Sequence, residues 1–241
     1  MADLLSRVRS AALDHLGFRV SVADVREPAP GFALITLAGA GLTEHAWNAG
    51  DRVSVRTPDN VLRNYTPFNW DANAGRAQIL RGGRASGPGT RFLNALSIGG
   101  EVQLLGPKKS IDLHLQSAPI IVGDETVLGL CAAWTGAHAG LPATILLEAT
   151  DVAACRAAAI AIGVTPERVV RDRDSLVAAV IECARADAAG PLILSGRAQT
   201  IAAVRRALKN TRLSATGNST GSSTTAVVVK AYWDENRAGL D

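Results

Sequence analysis

Near Pro119 the apolar residues change their period, and this change limits the possible folds more than any other property of the chain. From Phe18 to about Leu113 the apolar runs are short: FRVSVADV, FALITLAG, DRVSVRT, RNYTPF, AQILRG and EVQLLG. Turn residues separate them, among them Pro28, Pro30 and Gly31, Gly50-Asp51, Asp59-Asn60, Asn73 to Gly75, and Gly99-Gly100. Short runs divided by such signals predict a series of strands closed into a barrel or sandwich. Beyond Pro119 the short runs PIIVG, ATILLEA, ERVV, PLILSG and TAVVVKAYW alternate with the longer VLGLCAAW, VAACRAAAIAI, SLVAAVIECARA and TIAAVRRALK. Buried strands alternating with helical stretches predict a parallel sheet flanked by helices.

Two domains are therefore expected, residues 1–115 and 116–241, with the join between Leu113 and Ala118. Leu4, Leu5, Val8, Ala12, Leu13 and Leu16 have helical spacing, so the first domain is expected to begin with a helix that ends at Gly17. The stretch SATGNSTGSSTT, Ser214 to Thr225, reads as a mobile loop before the last strand.

At 241 residues, 47% hydrophobic and 20% charged, the chain has the composition of a globular protein with a sizeable core. A formal net charge of +3, with no run of Lys or Arg, argues against a nucleic-acid partner. Asp3, Arg7, Arg9 and Asp14 interrupt the first apolar stretch, unlike a secretory signal, and no segment approaches the ~20 apolar residues of a membrane span. A cytoplasmic protein is expected. Cys131, Cys155 and Cys183 form no CxxC pair and are too few for a four-thiolate cluster. His15, His45, His114 and His138 show no ligand spacing, so no metal site is expected. If the protein moves electrons, an organic cofactor carries them.

Three motifs bear on such a cofactor. In Arg63-Asn64-Tyr65-Thr66 on a strand, the two-residue period puts Arg63 and Tyr65 on one face and Thr66 on the other. An exposed Arg and a half-buried Tyr are also common on strands with no ligand. Gly87-Pro88-Gly89-Thr90 follows a strand and opens the helix-like RFLNAL, where free amides and a hydroxyl can face a phosphate, or where Thr90 can simply cap a helix. Gly123-Asp124-Glu125-Thr126 follows a buried strand. Gly123 permits close backbone approach, Thr126 can donate at the helix start, and the acids suit the helix dipole; the same residues also make an ordinary cap.

The order of a barrel before a nucleotide-type sheet is shared by the ferredoxin reductase superfamily, and RNYT resembles its Arg-x-Tyr-Thr/Ser flavin motif. Val122 to Leu128, VGDETVL, resembles the Gly-Asp-Glu-Thr-Ala-Leu-Pro signature of siderophore-interacting proteins, with Val127 in place of Ala and Gly129 in place of Pro. Leu194-Ser195-Gly196-Arg197 before TIAAVRRAL resembles that family's Ala-Gly-Glu turn and Arg-rich helix, and Ala231-Tyr232-Trp233 resembles its Gly-Tyr-Trp ending. Arg81-Gly82 stands where the family has His-Gly, and Arg197 where it has Glu.

The resemblance implies an N-terminal antiparallel FAD-binding β-barrel followed by an α/β NAD(P)H-binding-like domain. It places Arg63 on the flavin pyrophosphate, Tyr65 against the isoalloxazine ring and Thr66 at the flavin edge. Gly87, Gly89, Thr90, Gly123, Asp124, Glu125, Thr126 and Trp233 are further cofactor contacts. Ser195, Gly196 and Arg197 are implied to bind the nucleotide, with Arg197 suited to the extra phosphate of NADPH. Lys230 is assigned to an anionic substrate. The implied activity is electron transfer from NAD(P)H, or a ferredoxin, through FAD to a ferric siderophore, which releases ferrous iron; no catalytic acid or base is needed. The alternatives are a flavin reductase serving another redox partner and a flavin- or siderophore-binding carrier without turnover.

Overall fold

Thr66 and Pro67 alone join strand β4 (Leu62–Tyr65) to β5 (Phe68–Asp71), yet these two strands are opposite edges of one sheet. The sheet is antiparallel and runs β4-β3-β7-β1-β2-β6-β5, with β1 Gly17–Arg26, β2 Ala33–Ala38, β3 Arg52–Arg56, β6 Arg76–Arg81 and β7 Glu101–Lys108. Laid flat, seven strands at ~4.8 Å spacing would separate the edges by ~29 Å. The three Cα steps from Tyr65 to Phe68 reach at most ~11 Å. The sheet is therefore rolled into a barrel-like form with its seam at Thr66-Pro67, although no ladder among the described residues closes it. RNYTPF, which reads as one strand, is broken here because Pro67 has no N–H to donate to a ladder.

These elements come from a computed structural model that describes residues 17–82, 88–115, 117–185, 190–215 and 226–234. The expected entry helix, Leu4 to Leu16, lies outside them, as do residues 216–225 of the Ser/Thr/Gly stretch. The chain forms two compact units, Met1–Asp112 and Leu113–Asp241.

Inside the first unit, alternate residues of the strands meet in one apolar cluster that includes Val20, Val22, Ile35, Leu37, Val53, Val55, Ile79 and Leu104. Helices α1 (Gly41–Glu44) and α2 (Pro88–Asn94) add Leu42 and Leu93 to it. His45 stacks on Phe18 at 4.3 Å between ring centroids, which makes it a packing residue.

In the second unit, β8 (Ile120–Asp124), β9 (Thr144–Glu148), β10 (Arg168–Val170), β11 (Leu192–Arg197) and β12 (Val227–Trp233) form a parallel sheet in the order β10-β9-β8-β11-β12. All five residues of β8 are buried, as a central strand requires. Between the strands run α3 (Leu128–Ala137), α4 (Val152–Ala161), α5 (Arg173–Arg185) and α6 (Ala198–Ala215). Every strand and helix expected after Pro119 is present, and the fold class is the one expected. Leu176 and Val180 of α5 and Ile201 and Val204 of α6 pack on Ile120, Val122, Leu146 and Leu194. Asp151 caps α4 through a bond from Ala154 N at 3.0 Å. No helix among the described residues is long and apolar enough to cross a membrane.

Candidate functional site

In the first unit, the register pairs Tyr65 with Val53 and Arg63 with Val55. Residues opposed across an antiparallel pair share a face. Both valines are 1% exposed, so Arg63 and Tyr65 lie together on the face turned to the buried cluster, and Tyr65 packs against that cluster. Asn64 takes the other face, where its side-chain oxygen accepts from Ser54 Oγ at 2.6 Å. Thr66, just past the strand end, is buried at the seam.

Burial pushes the Tyr65 hydroxyl up to about 12, while the guanidinia of Arg63 and Arg81 act against the shift. Arg81 belongs to β6, five strands away in the sheet order, and its charge acts on Tyr65 because the sheet is rolled. Its guanidinium donates to Gly31 O at 2.7 Å, and burial lowers its own pKa. Arg63 is half-buried, donates to Leu62 O at 3.0 Å and meets no carboxylate among the described residues. The seam thus brings together two cations and one aromatic ring, which suits a ligand with a diphosphate and a flat ring system. Arg81 was not among the expected site residues, and only the roll of the sheet puts it there. Gly87 lies outside the described residues; Gly89 and Thr90 lie in the first turn of α2, with their side chains undescribed.

In the second unit, the winding of the sheet reverses between β8 and β11, the switch point at which open α/β sheets bind ligands beyond the strands' carboxyl ends. Asp124 ends β8 there and is fully buried. Its Oδ1 accepts from the Thr126 amide at 2.9 Å and also from the Thr126 hydroxyl. Its Oδ2 accepts from the Arg197 amide at 2.8 Å and from Trp233 Nε1 at 2.9 Å. Burial raises the Asp124 carboxyl, and these donors oppose the rise. Both oxygens of Asp124, expected as a cofactor contact, are engaged by the chain itself.

Arg197, expected at a nucleotide phosphate, also makes internal contacts. Its guanidinium donates to Glu148 Oε1 at 3.1 Å and sits over the Trp233 ring at 4.7 Å from the centroid. Glu148, at the end of β9 and 6% exposed, also accepts from Thr200 Oγ1 at 2.7 Å. Arg173 donates to the same hydroxyl at 3.3 Å. Ser195 is fully buried, with its Oγ on Lys230 O at 2.8 Å, and Lys230 is half-buried on β12. Gly196 has φ +94°, and a Cβ there would meet Asp124 Oδ1 at 2.9 Å. Gly123 is needed for close approach, because its Cβ would stand 2.4 Å from Ser195 O.

The structure thus joins Asp124, Thr126, Arg197 and Trp233 in one network, which extends to Glu148 and Thr200. Sequence reasoning passed over Glu148, although an acid that ends the buried run TILLE at a carboxyl edge is a detectable signal. Glu125 is half-buried and its Oε2 has no hydrogen-bond partner among the described residues.

No family model matches the chain, and no curated protein matches it in sequence. Among solved structures it is similar to a siderophore utilization protein from T. fusca, at 21% identity over 93% of this chain and 95% of that one, with a TM-score of 0.68. A siderophore-interacting protein from Aeromonas hydrophila is 18% identical over 92% of this chain and 93% of its own, with a TM-score of 0.67. The ferredoxin reductase of carbazole 1,9a-dioxygenase is 14% identical over 90% and 69%, also at 0.67. The class of fold is that of ferredoxin reductases, an antiparallel barrel-like sheet followed by a nucleotide-type parallel sheet. Within that class the chain shares its fold, nearly end to end, with two siderophore proteins.

Proposed function

We propose that this protein is a flavin-dependent oxidoreductase of the siderophore-interacting kind, which reduces the iron of a ferric siderophore. The observation that carries the reading is the seam of the first unit, where Arg63 and Arg81 act on one buried-edge tyrosine, in the fold of ferredoxin reductases. These residues fit FAD. Arg63 would hold the pyrophosphate, the Tyr65 ring would cover the isoalloxazine, and Thr66 with Gly87, Gly89 and Thr90 would supply further donors. When bound, FAD can take up a hydride and give out electrons singly. The chain's own part is to bind, orient and shield that ring; no acid or base is required of it.

The siderophore assignment is supported by the fold shared with the two siderophore proteins and by the basic balance of the chain, +3, which favours an anionic substrate. Lys230 is the substrate-facing cation in this reading. Reduction of ferric iron releases it, because hard oxygen donors hold Fe²⁺ far less tightly than Fe³⁺. The electron donor is a reduced nicotinamide dinucleotide or a ferredoxin, and the setting is cytoplasmic.

The test is reconstitution with FAD followed by anaerobic reduction and addition of several ferric siderophores, with ferrous iron trapped by a colorimetric chelator. Bound flavin and stoichiometric ferrous trapping are expected. A colourless protein that takes up no FAD refutes the reading. Flavin that is bound and reduced, yet passes nothing to any ferric chelate, leaves a reductase for another partner.

A further inference from the structure

In a doubly wound sheet, a dinucleotide lays its pyrophosphate on the amides that open the helix after the first strand of the unit. In the second unit this place is the turn Asp124 to Val127, and the donors that converge there already serve a carboxylate of the chain. The Thr126 amide and hydroxyl, the Arg197 amide from the neighbouring strand and Trp233 Nε1 all converge on the Asp124 carboxylate. The backbone is closed up around that carboxylate. A Cβ on Gly196 would lie within 3.1 Å of all three Asp124 carboxyl atoms, and one on Gly123 would lie 2.4 Å from Ser195 O. The ends of β8 and β11 thus approach each other closely at these two glycines.

Charge points the same way. Around the turn stand the carboxylates of Asp124, Glu125 and Glu148. Arg197 is bound to Glu148, with side chains 17% and 8% exposed, and is stacked on Trp233. A pyrophosphate would bring further negative charge to a place where acids already predominate. The residues at the switch point do not fit the group that a nucleotide-type sheet implies.

We infer that the switch-point crevice of the second unit is closed to the pyrophosphate of a dinucleotide, because the Asp124 carboxylate is a built-in anion in the phosphate's place. Asp124, with Glu125 and Glu148, is a specificity determinant against phosphate. The inference deepens the reading above and rests on it for one consequence: electrons reach the flavin from a donor that engages the protein elsewhere than at this turn.

The test uses the full FAD-loaded chain, labelled with ¹⁵N and titrated with ADP-ribose and, separately, with inorganic pyrophosphate into the millimolar range. The expected result is no saturable shift of the amides of residues 123–129 and 195–197. Saturable shifts at those amides overturn the inference; shifts confined to other residues support it. D124S removes the carboxylate while leaving the turn's amides, and pyrophosphate is expected to bind it at least about tenfold more tightly than it binds the wild type. A folded D124S that binds no better overturns the built-in-anion account. If D124S does not fold, the wild-type titration decides alone. Flavin content is read from the visible spectrum of the same samples. Failure to hold FAD sinks the reading above, yet the amides of the second unit still report on the crevice.

Discussion

Removing the guanidinium of Arg197 should cost the second unit more than any surface ion pair could. Glu148 is 6% exposed, with Oε1 bonded to Arg197 at 3.1 Å and Oε2 to Thr200 at 2.7 Å. R197M keeps most of the side-chain volume over Trp233 but leaves Glu148 with one neutral donor. Breaking a buried pair from one side typically costs ~3–5 kcal/mol. The cation–π contact at 4.7 Å adds ~0.5–2 kcal/mol. Because Arg197 is 17% exposed at its side chain, water relieves part of this, and a loss of ~3–4 kcal/mol is the working figure. For a unit of this size, that lowers its unfolding midpoint by roughly 10–20 °C. E148Q alone should cost less, since the amide still accepts from one donor. The double variant R197M/E148Q should recover ~2 kcal/mol of the summed losses, because no unpaired charge remains buried. The assay is chemical denaturation of wild type, both single variants and the double, combined as a cycle. An R197M loss below ~1 kcal/mol, or two single losses that simply add, would refute the buried-pair account.

Three further outcomes are expected. R63A should weaken FAD retention by ~1.5–3 kcal/mol, or about ten- to a hundredfold in Kd, through loss of a charge-assisted contact, as read by flavin fluorescence; undiminished retention would show the motif to be misread. Tyr65 is held near 12 against an ordinary 10.0, so the unfolded chain loses this proton first, and stability should fall as pH rises from about 10 to 12, by up to ~3 kcal/mol. Y65F should lack that fall, and since the chain has only two tyrosines, tyrosinate absorbance should resolve a late step that Y65F abolishes. G123A should destabilise the second unit by several kcal/mol, on the order of an overpacked core or more, because the atom 2.4 Å from the new methyl is the Ser195 backbone oxygen; a near-wild-type melting curve would contradict the close approach of β8 and β11.

Much of this was legible in the sequence, and the reason is that the legible part is local. Short apolar runs near one period and longer runs near another arise from the geometry of strands and helices themselves, so the five strands and four helices after Pro119 could be read residue by residue. The two-residue spacing of Arg63 and Tyr65 settled that they share a face, and the Asp-Glu-Thr pattern marked a cap at residue 124. Which strands lie side by side is not local. RNYTPF looks like one strand, and only the rolled sheet turns it into two edges meeting at Thr66-Pro67, with Arg81 brought to Tyr65 from five strands away. Asp124, Glu148, Arg197 and Trp233 each look outward-facing and polar or amphipathic when read singly. Parallel pairing sets the ends of β8, β9, β11 and β12 together, and burial then makes unpaired charge too costly, so these residues satisfy one another. The sequence by itself determined the kinds of element and the polar residues at their ends; the tertiary structure decided which of those residues stay at the surface and which are held inside by their neighbours.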